Sequence, residues 1–173
     1  MTVLDGRRRF ALDQNFPDPI IDSLGDWITE AELVPLRRID ARLPTFEDDW
    51  RILLALHHHA DPWDGLITTD SGMLNLPREM AVLEQTKLTL VVALAAGHDP
   101  LKATGLLLAY LPGICGRTSP EKAQLWTLNA APTPASKPWE KLQRIAEHRN
   151  RDVVELYREE RLSDEELAEN PLR

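Results

Sequence analysis

Short apolar runs and segments with helical spacing alternate along the chain. The run at 88–94 (LTLVVAL) is apolar with almost no alternation, which is typical of a parallel strand covered on both faces. Three further runs predict strands, at 9–12 (RFAL), 65–70 (GLITTD) and 123–129 (AQLWTLN). The segment 32–39 (ELVPLRRI) carries four aliphatic residues, but Pro35 lacks an amide donor, so we expect an edge strand or an irregular segment there.

The segments between these runs have the apolar spacing of helices. Asp18 followed by Pro19 predicts a helix start, with an acceptor side chain at the cap and a proline in the first position. Thr45 and Asp48 form a variant of the capping box, which predicts a second helix that reaches the histidines at 57–59. Two more helices are predicted, one at 76–87 and one at 99–110 that Asp99 and Pro100 open. Alternating strands and helices predict an α/β fold with a mainly parallel central sheet.

The C-terminal part of the chain has a different pattern. Residues 130–138 (AAPTPASKP) contain three prolines among small residues, which favours a linker. From 138 to about 162 the apolar residues recur at helical spacing, so we expect one long or broken amphipathic helix. We therefore predict an α/β domain at 1–129, a linker at 130–138, and an amphipathic helix with an acidic tail at 139–173. The apolar stripe of that helix needs cover from the parent domain, a second copy or another partner.

Composition narrows the possible environments and partners. The 173 residues include 20 Lys and Arg against 28 Asp and Glu, a formal charge of −8, which disfavours broad adhesion to nucleic acid or anionic membranes. Cys115 is the single cysteine, and the first residues lack the apolar run of a signal peptide, so we expect a cytoplasmic protein. No apolar stretch approaches the roughly 20 residues that cross a bilayer, so no membrane span is expected.

Two of the predicted strands end at aspartate, Asp13 and Asp70. The carboxyl ends of parallel strands meet at one edge of the sheet, and neighbouring strands lie about 4.8 Å apart, so the two carboxylates should converge. They repel each other unless one is protonated or a cation lies between them. Hard oxygen ligands of this kind favour Mg²⁺ or Mn²⁺. The structural alternatives are that Asp13 is a turn residue and that Asp70 opens a turn with Ser71 and Gly72.

Three motifs, in order, resemble those of PIN-like domains. LDQNFP at 12–17 is similar to their opening strand, and Asp49, Ile52 and Ala55 match an Asp-x-x-Ile-x-x-Ala pattern at the start of a middle helix. GLITTDSGML at 65–74 matches a later strand that ends in Thr-x-Asp. The resemblance covers roughly residues 8–115.

This resemblance implies a three-layer α/β/α sandwich, with a C-terminal helical extension outside the resemblance. It also implies an acidic pocket that binds Mg²⁺ or Mn²⁺ for endoribonuclease cleavage, as in toxins of toxin–antitoxin pairs. Asp13, Asp49 and Asp70 are then the metal ligands and catalytic residues, with Asn15 as a polar catalytic neighbour. The implied partners are an RNA substrate and an inhibitor (antitoxin) protein.

Other charged and polar residues are candidates for substrate binding. Arg9 and Arg38 belong to two basic groups that are either solvated surface or, if they border the acidic pocket, ligands for RNA phosphates. Ser71 is a polar neighbour of Asp70 and a further candidate. The histidines at 57–59 suggest a transition-metal site, although consecutive helical residues point about 100° apart and do not face one ion.

The chain departs from the family pattern at Gly72, where many relatives carry a second acid. This departure motivates an alternative, a catalytically degraded PIN-like binding module that forms homo-oligomers through its C-terminal helix. A third idea is a phosphatase of the haloacid dehalogenase class, because Asp13-x-Asn15 approximates its Asp-x-Asp motif. The second acid of that motif is absent, which removes the expected general acid.

Overall fold

The computed structural model describes residues 6–129, 143, 144 and 146–160. The chain divides into two compact units, Met1–Ala131 and Pro132–Arg173. The predicted linker at 130–138 lies outside the described residues, as do Trp139 and Leu142 of the predicted helical stripe. Among the described residues, none of the helices combines the length and the hydrophobicity that crossing a bilayer requires.

The first unit contains a five-stranded sheet in which every strand pair is parallel, as predicted. Its strands are β1 (Arg8–Leu12), β2 (Ala31–Pro35), β3 (Gly65–Thr68), β4 (Thr89–Val92) and β5 (Gln124–Thr127). The spatial order is β2-β1-β3-β4-β5. Every residue of β4 is buried, which confirms the strand predicted from its continuous apolar run. β2 lies at an edge and ends at Pro35, which confirms the edge position predicted for it.

Helices cover both faces of the sheet. They are α1 (Asp18–Trp27), α2 (Leu36–Ile39), α3 (Asp49–His58), α4 (Pro77–Thr86) and α5 (Pro100–Cys115). Apolar side chains of α1 and α5 share one core with alternate strand residues such as Phe10, Leu12 and Ile67. Side chains of α3 and α4 share the opposite core with Ala11 and Leu66. The first unit therefore has three layers, with the sheet between two pairs of helices.

The crossover through α5 differs from the others. The crossovers through α1 and α5 lie on the same face but run in opposite directions across the sheet, β1 to β2 and β4 to β5, so they have opposite hands. About 98% of such connections are right-handed, which makes the α5 connection the unusual one. Gly97 lies within this connection, with φ 56° and ψ −126°, a conformation that essentially requires glycine.

Gly65 is required by a close backbone approach inside the sheet. It pairs with Phe10 of β1 and with Thr89 of β4. A Cβ atom at this position would lie 1.8 Å from the Thr89 carbonyl oxygen. A larger residue would therefore push β3 away from β4, the pair whose carboxyl ends border the candidate site.

Several predicted boundaries need correction. The N-cap of α1 is Pro17, so Asp18 is already the first helical residue. Thr45 ends a 3₁₀ turn and donates its hydroxyl to the Arg42 carbonyl, so it does not cap α3; Asp48 is the N-cap residue, without a side-chain cap hydrogen bond. The helix predicted to end at Tyr110 continues to Cys115, because Leu111, Ile114 and Cys115 are buried in the core beyond it.

The second unit contains helical residues at 143, 144 and 146–148, then a second helix at Val153–Glu160. Asn150 lies between them with φ 51°, the left-handed conformation, and Arg151 donates its amide to the Ala146 carbonyl. The chain therefore leaves the helical path at 149–152. Of the two alternatives predicted for this segment, the broken helix is the one present.

Candidate active site

The predicted strand-end aspartates meet in one cleft at the carboxyl edge of the sheet. Asp13 follows β1, Asp70 lies two residues after β3, and both line a cavity of about 370 Å³. Asp49, the first residue of α3, lines the same cavity. β1 and β3 are neighbours at the point where the strand order reverses, the usual ligand position in open parallel sheets. Three acids from distant parts of the chain thus face a common space.

The carboxylate of Asp13 is held by three donors. One oxygen accepts the Gln14 amide at 2.6 Å, and the other accepts the Thr68 hydroxyl at 2.8 Å and the Asn15 side-chain amide at 3.2 Å. The main chain of Asp13 continues the sheet by donating to the Ile67 carbonyl. Every one of these donors is neutral, so Asp13 is oriented while its charge is left uncompensated.

Thr68 links the two strand ends. Its buried hydroxyl donates to Asp13 and accepts the backbone amide of Asp70 at 2.9 Å. One oxygen of Asp70 accepts the Gly72 amide at 2.7 Å and caps the 3₁₀ helix Ser71–Asn75. The predicted turn role of Asp70 is therefore present together with its place in the cleft. The Thr68 hydroxyl fixes the spacing between the two carboxylate-bearing loops.

Gly72 lies directly against the carboxylate of Asp70. A Cβ atom at this position would lie 2.9 Å from Oδ1 of Asp70. A side chain at position 72 would therefore require a small shift of the Asp70 carboxylate.

The electrostatics of the cleft are most evident at Asp49. Burial raises the pKa of its carboxyl group, and the negative charges of Asp70 and Asp13 raise it further, followed by those of Glu79 and Asp48. Glu79 is a buried acid of α4 that the sequence analysis did not single out. Its signal was weak, because a glutamate in the first turn of a helix has an ordinary explanation in the helix dipole.

The donor set suits a hard divalent cation, because it consists of carboxylate, amide and hydroxyl oxygens. Within the part of the chain that the structure describes, no group of three or more His, Cys, Asp or Glu side chains is close enough to hold an ion between its members. A cation at this site would therefore contact few protein oxygens directly.

The other predicted site residues divide into two groups. Asn15 and Ser71 line the cleft. Arg9 and Arg38 do not, so the structure does not bring the predicted phosphate-binding arginines to the acids. Arg9 stands near the start of β1, at the opposite edge, where it pairs with Glu32 at 3.0 Å and Asp61 at 3.3 Å. Arg38 follows β2 in α2 and pairs with Asp22 at 3.0 Å.

Sequence reasoning missed several residues of the cleft walls, among them Phe46 and His98. Phe46 precedes α3, and His98 follows Gly97 on the unusual α5 connection. The position of His98 shortly after the clearest predicted strand was a usable signal, since such loops border the site in parallel sheets. Within the described residues, His98 is the one cleft-lining side chain that is able to carry a positive charge.

Two features outside the cleft have structural explanations. His57 and His58 occupy the last turn of α3, where cations complement the helix dipole, and their rings meet edge to face at 5.1 Å. Burial raises the pKa of Cys115 to about 11, with smaller contributions from Glu30 and Asp64, so its thiol is protonated at neutral pH. A packing role for Cys115 agrees with both facts.

Comparison with known proteins identifies no relative of this chain. No protein-family model, no curated protein and no solved structure matches it.

Proposed function

We propose that this chain is an Mg²⁺- or Mn²⁺-dependent endoribonuclease of PIN-like type. The observation that carries the proposal is the meeting of Asp13, Asp49 and Asp70 in one cleft at the strand-order reversal. Among the described residues, no Lys or Arg lies within ion-pair distance of these three carboxylates. An acidic site that lacks an internal counter-charge is suited to an external cation.

A bound divalent ion would activate water, orient the scissile phosphate and offset charge on the leaving oxygen. The chain's own residues prepare that site. Thr68 and Asn15 orient the Asp13 carboxylate, and the Gly72 amide orients Asp70. Burial and then the charges of Asp70 and Asp13 raise the pKa of Asp49, and a bound cation would offset the contribution of those charges. Ser71 and His98, on the cleft wall, are placed to donate hydrogen bonds to phosphate oxygens.

A role as the toxin of a toxin–antitoxin pair, with an antitoxin protein as inhibitor, belongs to the same proposal, and so does a cytoplasmic location. These follow from the motifs at 12–17, 49–55 and 65–74 and from the single cysteine. They are testable only after the chemistry of the cleft has been measured.

The test is cleavage of a fluorescently labelled single-stranded RNA by the full chain in Mn²⁺. We expect cleavage by the parent protein and a loss of at least about 100-fold in Asp13→Asn. Asp61→Asn is the matched control, because Asp61 is an exposed acid whose partner Arg9 lies at the opposite edge. Equal cleavage by Asp13→Asn and the parent would show that Asp13 has no metal role.

The second candidate function is a binding module with a PIN-like fold and degraded chemistry, which forms homo-oligomers through its C-terminal helix. It is favoured by Gly72 and by the wide spacing of the described acids. Val154 and Tyr157 of the helix Val153–Glu160 are more than 40% exposed. Absence of stoichiometric Mn²⁺ binding, combined with a dimeric mass in light scattering that Val154→Asp reduces to a monomeric one, would favour this function.

A further inference from the structure

A second, shallower groove lies next to the acidic cleft, on the outer side of α3. We call it the Trp50 groove; its volume is about 420 Å³. It is lined by Phe46, Trp50, Arg51, Leu54, Ala55 and His58. Phe46 also lines the acidic cleft, so the groove and the cleft share a wall. A ligand that leaves the cleft past Phe46 therefore enters the Trp50 groove.

The groove presents an indole ring beside two guanidinium groups. Arg51 lies over the Trp50 ring at 5.4 Å, and Arg78 of α4 lies over it at 5.3 Å. Trp50 is half-buried, whereas both arginines are exposed. The ion pair of Arg51 with Asp48 is long, at 3.7 Å, and both side chains are more than half exposed, so water screens it. An anionic ligand therefore displaces the Arg51–Asp48 contact at little cost in free energy.

The cleft and the groove are complementary for a polyanion. The three aspartates of the cleft repel phosphates, so an RNA strand needs cationic contacts outside the metal site. The groove offers those contacts directly beside the cleft. It also offers aromatic surface, and a base stacks on an aromatic ring or a guanidinium plane when it is unpaired. These features together favour a single strand over a duplex.

We propose that the Trp50 groove binds the segment of single-stranded RNA adjacent to the scissile phosphate. The guanidinium groups of Arg51 and Arg78, which lie over the Trp50 ring in the free protein, move aside to pair with the flanking phosphates, and one or two bases stack on Trp50 and Phe46. This inference rests on the proposed ribonuclease function for the identity of the ligand. Continuity with the cleft and the cationic rim favour RNA over a protein partner, because an apolar peptide face would gain nothing from the two arginines.

The experiment measures binding separately from cleavage. A fluorescein-labelled 12-nucleotide oligouridine is titrated with the full chain carrying Asp13→Asn, and anisotropy gives the Kd. In this background we expect Trp50→Ala to weaken binding about tenfold or more, because stacking contributes about 1–3 kcal/mol per base. We expect Arg51→Gln with Arg78→Gln to lower the slope of log K against log salt by about 0.7 for each phosphate that is no longer neutralised.

Trp27→Ala is the matched control. Trp27 is 77% exposed at the end of α1, which runs away from the carboxyl edge of the sheet. Binding unchanged in Trp27→Ala and weakened in Trp50→Ala supports the proposal. Equal binding by Trp50→Ala and its parent, equal weakening by both tryptophan variants, or no binding by the Asp13→Asn chain each overturns it. Circular dichroism spectra confirm that each variant is folded before titration.

The two proposals fail in different ways. If the parent cleaves RNA in Mn²⁺ but Trp50→Ala binds and cleaves as the parent does, the groove assignment is wrong and the ribonuclease stands. If the chain binds oligouridine through Trp50 but does not cleave it, the groove assignment stands and the ribonuclease is wrong.

Discussion

Acidic residues at the two edges of the central sheet have different partners, which are charged at the amino edge and neutral at the carboxyl edge. At the amino edge, Asp64 pairs with Arg8 at 3.0 Å and accepts the Arg9 amide at 2.7 Å. Arg9 pairs in turn with Glu32 and lies over the Trp63 ring at 4.4 Å. At the carboxyl edge, the described partners of Asp13 and Asp70 are neutral donors.

The difference in charge compensation indicates that the amino edge contributes to stability and the carboxyl edge to function. Charges at the amino edge are compensated by the chain itself, which suits a role in holding β1 to β3. Charges at the carboxyl edge are oriented but not compensated, which costs stability and leaves room for a cation. Such uncompensated charge is retained where function requires it. Amide substitutions at the two edges should therefore have opposite consequences.

The largest expected effect is on catalysis at the carboxyl edge. Asp49→Asn removes a carboxylate from the cleft without changing its size, so we expect RNA cleavage in Mn²⁺ to fall at least about 100-fold. Initial rates at saturating RNA give the comparison. Asp48→Asn is the neighbouring control, because Asp48 is exposed and does not line the cleft. Loss of cleavage in both variants to the same extent would contradict the assignment of Asp49.

The next effect is on stability at the amino edge. Asp64→Asn leaves Arg8 without its ion-pair partner and weakens the acceptor of the Arg9 amide. We expect the free energy of unfolding to fall by about 1–3 kcal/mol in urea titrations. Cleavage per folded molecule should stay within about twofold of the parent. A stable Asp64→Asn variant would show that the paired edge contributes little to folding.

A smaller effect tests the link between the two carboxylate loops. Thr68→Val removes the hydroxyl that bridges Asp13 and the Asp70 amide, and we expect a decrease of about 1–2 kcal/mol in the free energy of unfolding. Cleavage should also fall, since both carboxylates are then less firmly oriented. Thr68→Ser keeps the hydroxyl and should restore cleavage. Equal cleavage by the Val and Ser variants would exclude a positioning role for the hydroxyl.

The smallest expected effect is an increase in the free energy of unfolding at the carboxyl edge, opposite in sign to the decrease expected at the amino edge. The pKa of Asp49 in the folded protein is raised above its ordinary value of 3.8. The stability that Asp49 contributes is therefore fully present below pH 3.8 and is lost as the pH rises through the pKa of the folded state. Without divalent ions, Asp49→Asn should therefore raise the free energy of unfolding at pH 7. The gain should vanish below about pH 4. A destabilised Asp49→Asn at pH 7 would contradict the proposed repulsion.

The sequence predicted the elements whose signals are local. The continuous apolar run of β4 and the acceptor-proline pair Asp99–Pro100 at the start of α5 were sufficient, because burial on both faces and capping leave direct marks in the chain. Asp99 does accept the amides of Leu101 and Lys102. The end of α5 was not predictable in the same way, since Pro112 suggests a stop that tertiary packing overrides.

The candidate site was predicted as far as strand order allowed. Parallel strands that end in Asp13 and Asp70 place both acids at one edge, whatever the details of the loops. The exclusion of Arg9 from the cleft followed from the predicted strand, because Arg9 begins the strand whose opposite end carries Asp13. The exclusion of Arg38 was not predictable, because it depends on a partner on another helix, Asp22. The reversed hand of the α5 connection has no local signal except Gly97.

The most direct test of the account is a Mn²⁺ titration of the full chain followed by electron paramagnetic resonance of the free ion. The account predicts one stoichiometric site in the parent, abolished or weakened at least about tenfold in Asp13→Asn and Asp49→Asn and retained in Asp64→Asn. Absence of a site in the parent, or a site that survives both carboxyl-edge substitutions, would contradict the claim that these acids gather to bind a divalent cation.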